Sequence, residues 1–271
     1  VSRDIMTESI NVGVNGAGGR MGQRLVTLIH EDPDLTLGAA LEFAEHPKIG
    51  QDAGEVAGLG KIDVPLQSEL PLDNRLNVMI DFSMPEGTMS VLKVCTERRI
   101  PLVLATTGHT DEQLALIEES AHETALLFAP NMSLSVNVLF ELVRQTGEML
   151  KNRDFDVEII ERHHRFKKDS PSGTALHFAK IVQEVMGHPS IQHGREGIVG
   201  ERPRTEIGMH AVRVGDNVGE HTIIFSTLGE TLELVHRGHS RDSYARGAVQ
   251  AAKYLADKPA GRYSMNDVLG L

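Results

Sequence analysis

The chain has 271 residues, with 27 Lys and Arg against 38 Asp and Glu, and a formal charge of −11 when its 13 His are counted as neutral. That length suits one large or two modest domains at roughly 150 residues each, and 40 % apolar with 24 % charged residues excludes a disordered chain. The acidic balance argues against nucleic acid as a partner, because phosphate binding needs a basic footprint, but it leaves room for a local small-anion pocket.

Residues 1–9 carry Asp4 and Glu8 and no apolar segment, so no signal peptide is expected, and Met6 is a candidate start. Residues 10–14 read as a short buried strand that runs into Gly16-Ala17-Gly18-Gly19. A helix follows over 20–30, with Met21, Leu25, Leu28 and Ile29 on one stripe. Residues 35–41 form a second strand ending at Glu42, and 43–75 read as irregular, broken by Gly and Pro. Strands are predicted at 76–82, 101–105 and 125–129, and a helix at 85–98 with Pro85 in its first turn. Thr110 and Gln113 make a capping box that opens a helix to about residue 122. Strands and helices alternating at these spacings imply right-handed βαβ units and a doubly wound parallel sheet.

The pattern then changes. Helices are predicted over 133–152 and 174–186, and a strand over 156–161. Stretches 208–214, 221–227 and 231–236 alternate like antiparallel strands, and a last helix spans 241–257 with Tyr244, Ala248 and Leu255 on one side. The fold class is therefore α/β, with an N-terminal Rossmann-like doubly wound sheet followed by a second, α+β domain. No run approaches the roughly 18 apolar residues of a membrane span. Cys95 is the sole cysteine. It excludes an internal disulfide, fits a reducing compartment, and reads as a small core residue of a helix rather than a reactive thiol.

Two clusters carry chemistry. Gly16-Ala17-Gly18-Gly19-Arg20-Met21-Gly22 lies between a strand and a helix, where a dinucleotide fingerprint belongs. Gly16 permits the tight turn, Gly18 lets backbone approach a pyrophosphate, and Glu42 is placed to accept from ribose hydroxyls. The third glycine of the pattern would fall at position 21, which is Met; Gly22 comes one later. The plain alternative is a glycine-rich loop. The second cluster, residues 161–168, packs six basic or titratable side chains into eight positions: Arg162, His163, His164, Arg165, Lys167 and Lys168. It precedes Ser170-Pro171-Ser172-Gly173-Thr174, which opens a helix, and together they suit an anion. His163 and Lys167 share a face at helical or strand spacing, and a lysine crowded by cations is a candidate proton donor. The plain alternative is a solvated basic edge. No set of metal ligands is spaced for binding, and His210, His221, His236 and His239 read as surface or packing residues.

Gly-Ala-Gly-Gly-Arg-Met-Gly at 16–22, Ala-Thr-Thr-Gly at 105–108, Ala-Pro-Asn-Met-Ser at 129–133, Glu-Arg-His-His-Arg-Phe-Lys at 161–167 and Pro-Ser-Gly-Thr-Ala at 171–175 occur in order, followed by Val-Gly-Glu-His at 218–221 and Ser-Arg at 240–241. In these motifs the chain resembles the bacterial 4-hydroxy-tetrahydrodipicolinate reductase (dihydrodipicolinate reductase) family of diaminopimelate and lysine biosynthesis. The resemblance implies a dinucleotide-binding domain over 1–133, completed by 242–271. It implies a substrate-binding and tetramerisation domain over 134–241. It also implies a nicotinamide cofactor lined by Gly16, Ala17, Gly18, Gly19, Arg20, Met21, Glu42, Phe43, Ala105, Thr106, Thr107, Ala129, Pro130, Asn131 and Met132. In family terms His163 is the acid/base residue and Lys167 the proton donor. His164, Gly173 and Thr174 hold substrate carboxylates, helped by Thr107 and Arg241. A small cyclic dicarboxylate substrate, a homotetramer and a cytoplasmic location are the further expectations.

Many relatives carry Arg immediately after the acidic residue, where it meets the NADPH 2′-phosphate; here that residue is Phe43. NADH is therefore expected to serve at least as well as NADPH, with Arg20 or Lys48 left to meet a phosphate. Two other readings share the glycine turn: a related oxidoreductase acting on another small acid, and a non-catalytic redox sensor.

Overall fold

Alternate side chains of the central strands in the N-terminal half face opposite ways, and each face is covered by its own layer of helices. A computed structural model describes residues 9–271, so the expectations for Met6, Asp4 and Glu8 fall outside the described residues. In chain order the elements are β1 (Ile10–Asn15), α1 (Arg20–Glu31), β2 (Leu35–Leu41), α2 (Ala53–Ala57), β3 (Leu66–Gln67), β4 (Val78–Asp81), α3 (Pro85–Arg98), β5 (Leu102–Leu104), α4 (Asp111–Ser120) and β6 (Ala125–Phe128). They continue as α5 (Leu134–Leu150), β7 (Asp156–His163), α6 (Gly173–Met186), β8 (Ser190–His193), β9 (Glu206–Arg213), β10 (Gly219–Thr227), β11 (Glu230–Gly238), α7 (Asp242–Leu255), β12 (Gly261–Tyr263) and α8 (Met265–Leu269). Two compact units result: the residues up to Leu134 with Asp242–Leu271, and Ser135–Arg241.

The first unit is a parallel sheet in the order β12-β6-β5-β4-β1-β2-β3. Val78 and Ile80 of β4 join Leu25 and Ile29 of α1 and Ala248 and Leu255 of α7 in one core. Met79 faces the other way, among Leu92 and Cys95 of α3 and Ile117 of α4. Each fully buried Val, Leu, Ile or Met side chain among them contributes roughly 1.5–3 kcal/mol. The helix starts follow the local signals: Pro85 occupies the first turn of α3, and Thr110 and Gln113 close a reciprocal capping box on α4. The order of strands reverses between β1 and β4, so the crevice outside their carboxyl ends is where such a sheet receives a ligand.

Three details depart from expectation. The stretch 43–75 is not wholly irregular, since it contains α2 and β3, both too short to give a periodic signal. The strand expected over 76–82 is only Val78–Asp81, and β8, β12 and α8 were not foreseen at all. Four-residue and three-residue strands gain their hydrogen bonds from a neighbour and carry little pattern of their own.

The second unit is a mixed sheet, β11-β10-β7-β9-β8, with its core between the sheet and α5 and α6. Val157, Ile159, Ile207, Ile223 and Phe225 face Phe178 and Val182 of α6. The β10–β11 hairpin is antiparallel as expected. The stretch over 208–214 is a correction: β9 runs parallel to β7 and to β8. Two long connections return the chain in the same direction each time, through α6 before β8 and through residues 194–205 before β9. That second connection is fixed by Arg195 and Arg202, whose guanidinium groups lie 2.8 and 2.9 Å from Glu158 Oε1. Burial alone would raise the Glu158 carboxyl, but hydrogen bonds from Arg195, His210 and Arg202 bring it down to about 2.

Candidate functional site

The glycine turn lies at the carboxyl end of β1. Gly16 has φ +80°, and a Cβ there would stand 2.6 Å from the Phe82 carbonyl oxygen, so both the backbone angle and the space require glycine. The puzzle of the third glycine resolves at Gly22. A Cβ at that position would strike the Gly16 carbonyl and the Ala17 Cα, so Gly22 provides the close packing of helix on turn. Gly19 is the N-cap of α1 and makes no side-chain cap, which leaves the positive end of the helix to a ligand. The Glu42 carboxylate accepts from the Gly18 N–H at 3.0 Å and from the Phe43 N–H at 3.1 Å.

A cleft of about 1350 Å3 opens here, lined among others by Gly16, Gly19, Glu42, Phe43, His46 and Met84. Phe43 is 58 % exposed and meets the His46 ring edge-on at 5.2 Å. Arg20 and Lys48, the candidates for a 2′-phosphate, do not line this cleft, nor does Met21. Ala105–Thr107 follow β5 and Ala129–Met132 follow β6, at the same carboxyl edge of the sheet. Ala105 donates to the Asp81 carbonyl and Ala129 to the Leu104 carbonyl, each at 3.0 Å. Thr107 and Pro130 are exposed, Asn131 is half-buried, and Ala129 and Met132 are buried.

Beneath this edge lies a residue the sequence did not single out. Asp81 ends β4 and is fully buried. Its Oδ1 accepts from Asn15 Nδ2 at 2.7 Å and Ser83 Oγ at 2.6 Å. Its Oδ2 accepts from Thr88 Oγ1 at 2.6 Å and Thr106 Oγ1 at 2.9 Å. One carboxylate thus ties the ends of β1, β4 and β5 together, and fixes Thr106 in place. Cys95 is also fully buried; burial pushes its thiol up, so it is a packing residue and not a nucleophile.

In the second unit, strand alternation puts Glu161 and His163 on the buried face of β7. Glu161 Oε2 lies 2.6 Å from His163 Nδ1, so that nitrogen carries a proton to the carboxylate, and Nε2 is left for other chemistry. Arg213 of β9 forks onto both Glu161 oxygens at 2.8 Å, and the Ser172 N–H donates to Oε1 at 3.0 Å. Burial opposes charge on Glu161, yet His163, Arg213 and Ser172 outweigh it and bring the carboxyl down to about 2. Ser172 also caps α6 by accepting from the Ala175 N–H, which sets Gly173 and Thr174 in the first turn.

Other members of the cluster are placed by this frame. A Cβ at Gly219, where φ is +154°, would stand 3.0 Å from His163 Nε2. His221, expected only as a surface or packing residue, is buried with its ring 5.4 Å from that of His163 and its Nε2 3.3 Å from Ser172 Oγ. Burial, then His163 and His236, hold its pKa down to about 3. His164 is lowered as well, by desolvation first and then by Arg241, His163 and Lys167. His163 and Lys167, expected on one face at either spacing, belong to different local structure. β7 ends at His163, and a turn closed by the Lys167 N–H on the His164 carbonyl brings Lys167 round to Asp169, 2.9 Å from its Nζ. Among the described residues, no group of three His, Cys, Asp or Glu is placed to hold a metal ion, and no helix is long and apolar enough to cross a membrane.

Both units have counterparts among known proteins. The sequence model of the dihydrodipicolinate reductase N-terminus matches residues 10–132, and that of its C-terminus matches residues 135–269. The chain belongs to the dihydrodipicolinate reductase family. The 4-hydroxy-tetrahydrodipicolinate reductase of Syntrophotalea carbinolica is 48 % identical over 97 % of this chain and 99 % of that protein. That of Hahella chejuensis is 45 % identical over 96 % and 98 %. Among solved structures, the dipicolinate-bound dihydrodipicolinate reductase of Paenisporosarcina sp. TG-14 superposes with a TM-score of 0.73 at 25 % identity, covering 94 % of this chain and 97 % of that one. Dihydrodipicolinate reductases are nicotinamide-dependent, and the glycine turn, the uncapped α1 and Glu42 fit that cofactor.

Proposed function

We propose that this chain reduces 4-hydroxy-tetrahydrodipicolinate to tetrahydrodipicolinate with loss of water, in the diaminopimelate and lysine pathway. The observation that carries the reading is the Glu161–His163–Arg213 frame at the capped start of α6, surrounded by His164, Lys167 and Arg241. When bound, the reduced nicotinamide supplies the hydride that adds at ring C4, once the 4-hydroxyl has left and a conjugated C=C–C=N system remains. Negative charge develops along that system, and the cations of the pocket stabilise it. Lys167 delivers the proton, and His163, oriented through Nδ1 by Glu161, is the acid/base partner. The first turn of α6, at Gly173 and Thr174, and His164 meet the carboxylates, with Thr107 and Arg241 as helpers.

The domain roles follow: residues 1–133 with 242–271 hold the cofactor, and 134–241 hold substrate and form a homotetramer. Support for the tetramer is the sheet face turned away from α6, which carries Ile160, Ile224, Val212 and Val235, the last two exposed. The single buried thiol and the need for reduced nicotinamide suit the cytoplasm. NADH serves at least as well as NADPH, because Glu42 repels a 2′-phosphate and Phe43 offers no charge to offset it.

The test is the purified protein assayed for reduction of 4-hydroxy-tetrahydrodipicolinate with each cofactor, alongside light scattering for the oligomer. Pyridine-2,6-dicarboxylate should compete with substrate, and monocarboxylate analogues should bind more weakly because one charge partner is left unused. Equal inhibition by both analogue classes would reject a two-carboxylate site, and cofactor binding without turnover would favour a redox sensor.

A further inference from the structure

The loop after Glu42 places an imidazole directly over the glycine turn. His46 Nδ1 accepts from the Lys48 backbone N–H at 3.3 Å, so in the neutral ring the proton sits on Nε2. A Cβ at Gly18 would stand 2.6 Å from His46 Cε1, 3.1 Å from its Nε2 and 3.0 Å from Glu42 Oε2. A ring donor and a carboxylate acceptor therefore flank the same point of the cleft, above the Gly18 backbone. The edge-on contact with Phe43 steadies the ring from the open side.

We propose that His46 reads the 2′ position of the adenosine ribose and thereby biases cofactor choice. The inference rests on reading this cleft as the dinucleotide site. A 2′-hydroxyl can donate to Glu42 and accept from His46 Nε2–H at once, so the neutral pair suits NADH. A 2′-phosphate offers only acceptors near neutral pH, and Glu42 repels it.

The other charged groups around the ring do not take this role. Glu42 faces it from the end of β2, and Glu45 and Lys48 flank it in its own loop. Across the cleft stand Glu69, and Glu86, Lys93 and Arg98 of α3. Arg98 is committed to the carbonyls of Pro71 and Leu70 at 2.8 and 3.1 Å. Lys93 extends into solvent with Glu97 4.0 Å away. Arg20, which follows the glycines at the start of α1, does not line the cleft.

Fluorescence titration of the intact protein with NADH and with NADPH tests the proposal. Wild type, His46→Ala and His46→Arg are compared at one pH. Loss of the ring donor in His46→Ala should weaken NADH binding on the order of tenfold. In His46→Arg the ratio of Kd for NADPH to Kd for NADH should drop on the order of tenfold. Unchanged Kd values for both cofactors in both variants would overturn the role of His46 while leaving the dinucleotide site intact. Failure of the wild-type protein to bind either cofactor would instead overturn the reading of the cleft, and this inference with it.

Discussion

Each unit of this protein is organised around one fully buried carboxylate, but the two are satisfied in opposite ways. Asp81 is held by neutral donors: an amide, three hydroxyls and the Ser83 backbone N–H. Glu161 is held by the Arg213 guanidinium, the His163 ring and one backbone N–H. Neutral donors pin the strand ends without adding charge, which keeps a rigid platform beneath the glycine turn and lets the uncapped helix α1 set the local field. Cationic partners do something different. Glu161 cancels part of the charge of its own frame and fixes the tautomer of His163, beside His164, Lys167 and Arg241. A carboxylate can therefore serve as a rivet in one place and as an electrostatic reference in another, depending on what donates to it.

The largest expected effect lies on the cationic side. His163→Ala and Lys167→Ala should each lower kcat by roughly 10²–10⁴-fold, with NADH affinity nearly unchanged. Steady-state kinetics and a cofactor titration check this, and near-normal kcat in both variants would sink the assignment. Next in size is Glu161→Gln. It removes the shared partner of Arg213 and His163, and breaking such a buried pair should cost about 3 kcal/mol in urea unfolding. Its kcat should fall too, because the His163 tautomer is no longer fixed.

The acid limb of stability separates His221 from Glu161. His221 is held neutral, from an ordinary 6.5 down to about 3. The unfolded chain therefore takes up that proton first, and stability is lost as pH falls below 6.5. Glu161 drops from 4.5 to about 2, so its contribution is full above pH 4.5 and is lost between there and pH 2. Denaturation midpoints measured against pH should lose slope between 6.5 and 4.5 in His221→Gln, and only below 4.5 in Glu161→Gln. The limiting slope for either group is about 1.4 kcal/mol per pH unit.

Asp81→Asn should be milder than Glu161→Gln. The amide keeps one acceptor oxygen and strands no cation, so about 1–2 kcal/mol is expected. The damage should appear as a raised KM for cofactor more than a lowered kcat. Equal destabilisation by the two amides would erase the distinction between rivet and reference. The smallest effect is Phe43→Arg, which should move kcat/KM about tenfold toward NADPH. That shift should weaken at high salt because the position is exposed. A wild-type enzyme that clearly favours NADPH would show that another residue carries the phosphate.

Much of this was legible locally. The turn at Gly16–Gly22, the Pro85 start, the Thr110 capping box and the Ser172-Gly173-Thr174 helix entry all depend on residues within a few positions of one another. Glu161 opens the basic motif but was missed, because the strand expected over 156–161 stops short of His163 and hides the alternation that turns both side chains into the core. Asp81 gave no such signal, because Asn15, Ser83, Thr88 and Thr106 meet it from four separate segments. His46 was one histidine in a stretch that read as irregular.

The sequence by itself determined the α/β class, the change of pattern near residue 134, the glycine turn with its acidic companion, and the cationic segment before α6. Those features are set by local periodicity, backbone sterics and charge density, which need no knowledge of distant partners. Tertiary structure decided that β9 runs parallel to β7, and that Gly22 does the packing expected of a glycine at 21. It also decided that Lys167 is placed by a turn rather than by a shared face, and that His221 is buried against His163. Each of these depends on which strand lies beside which, and that pairing is settled by burial of whole faces across long stretches of chain.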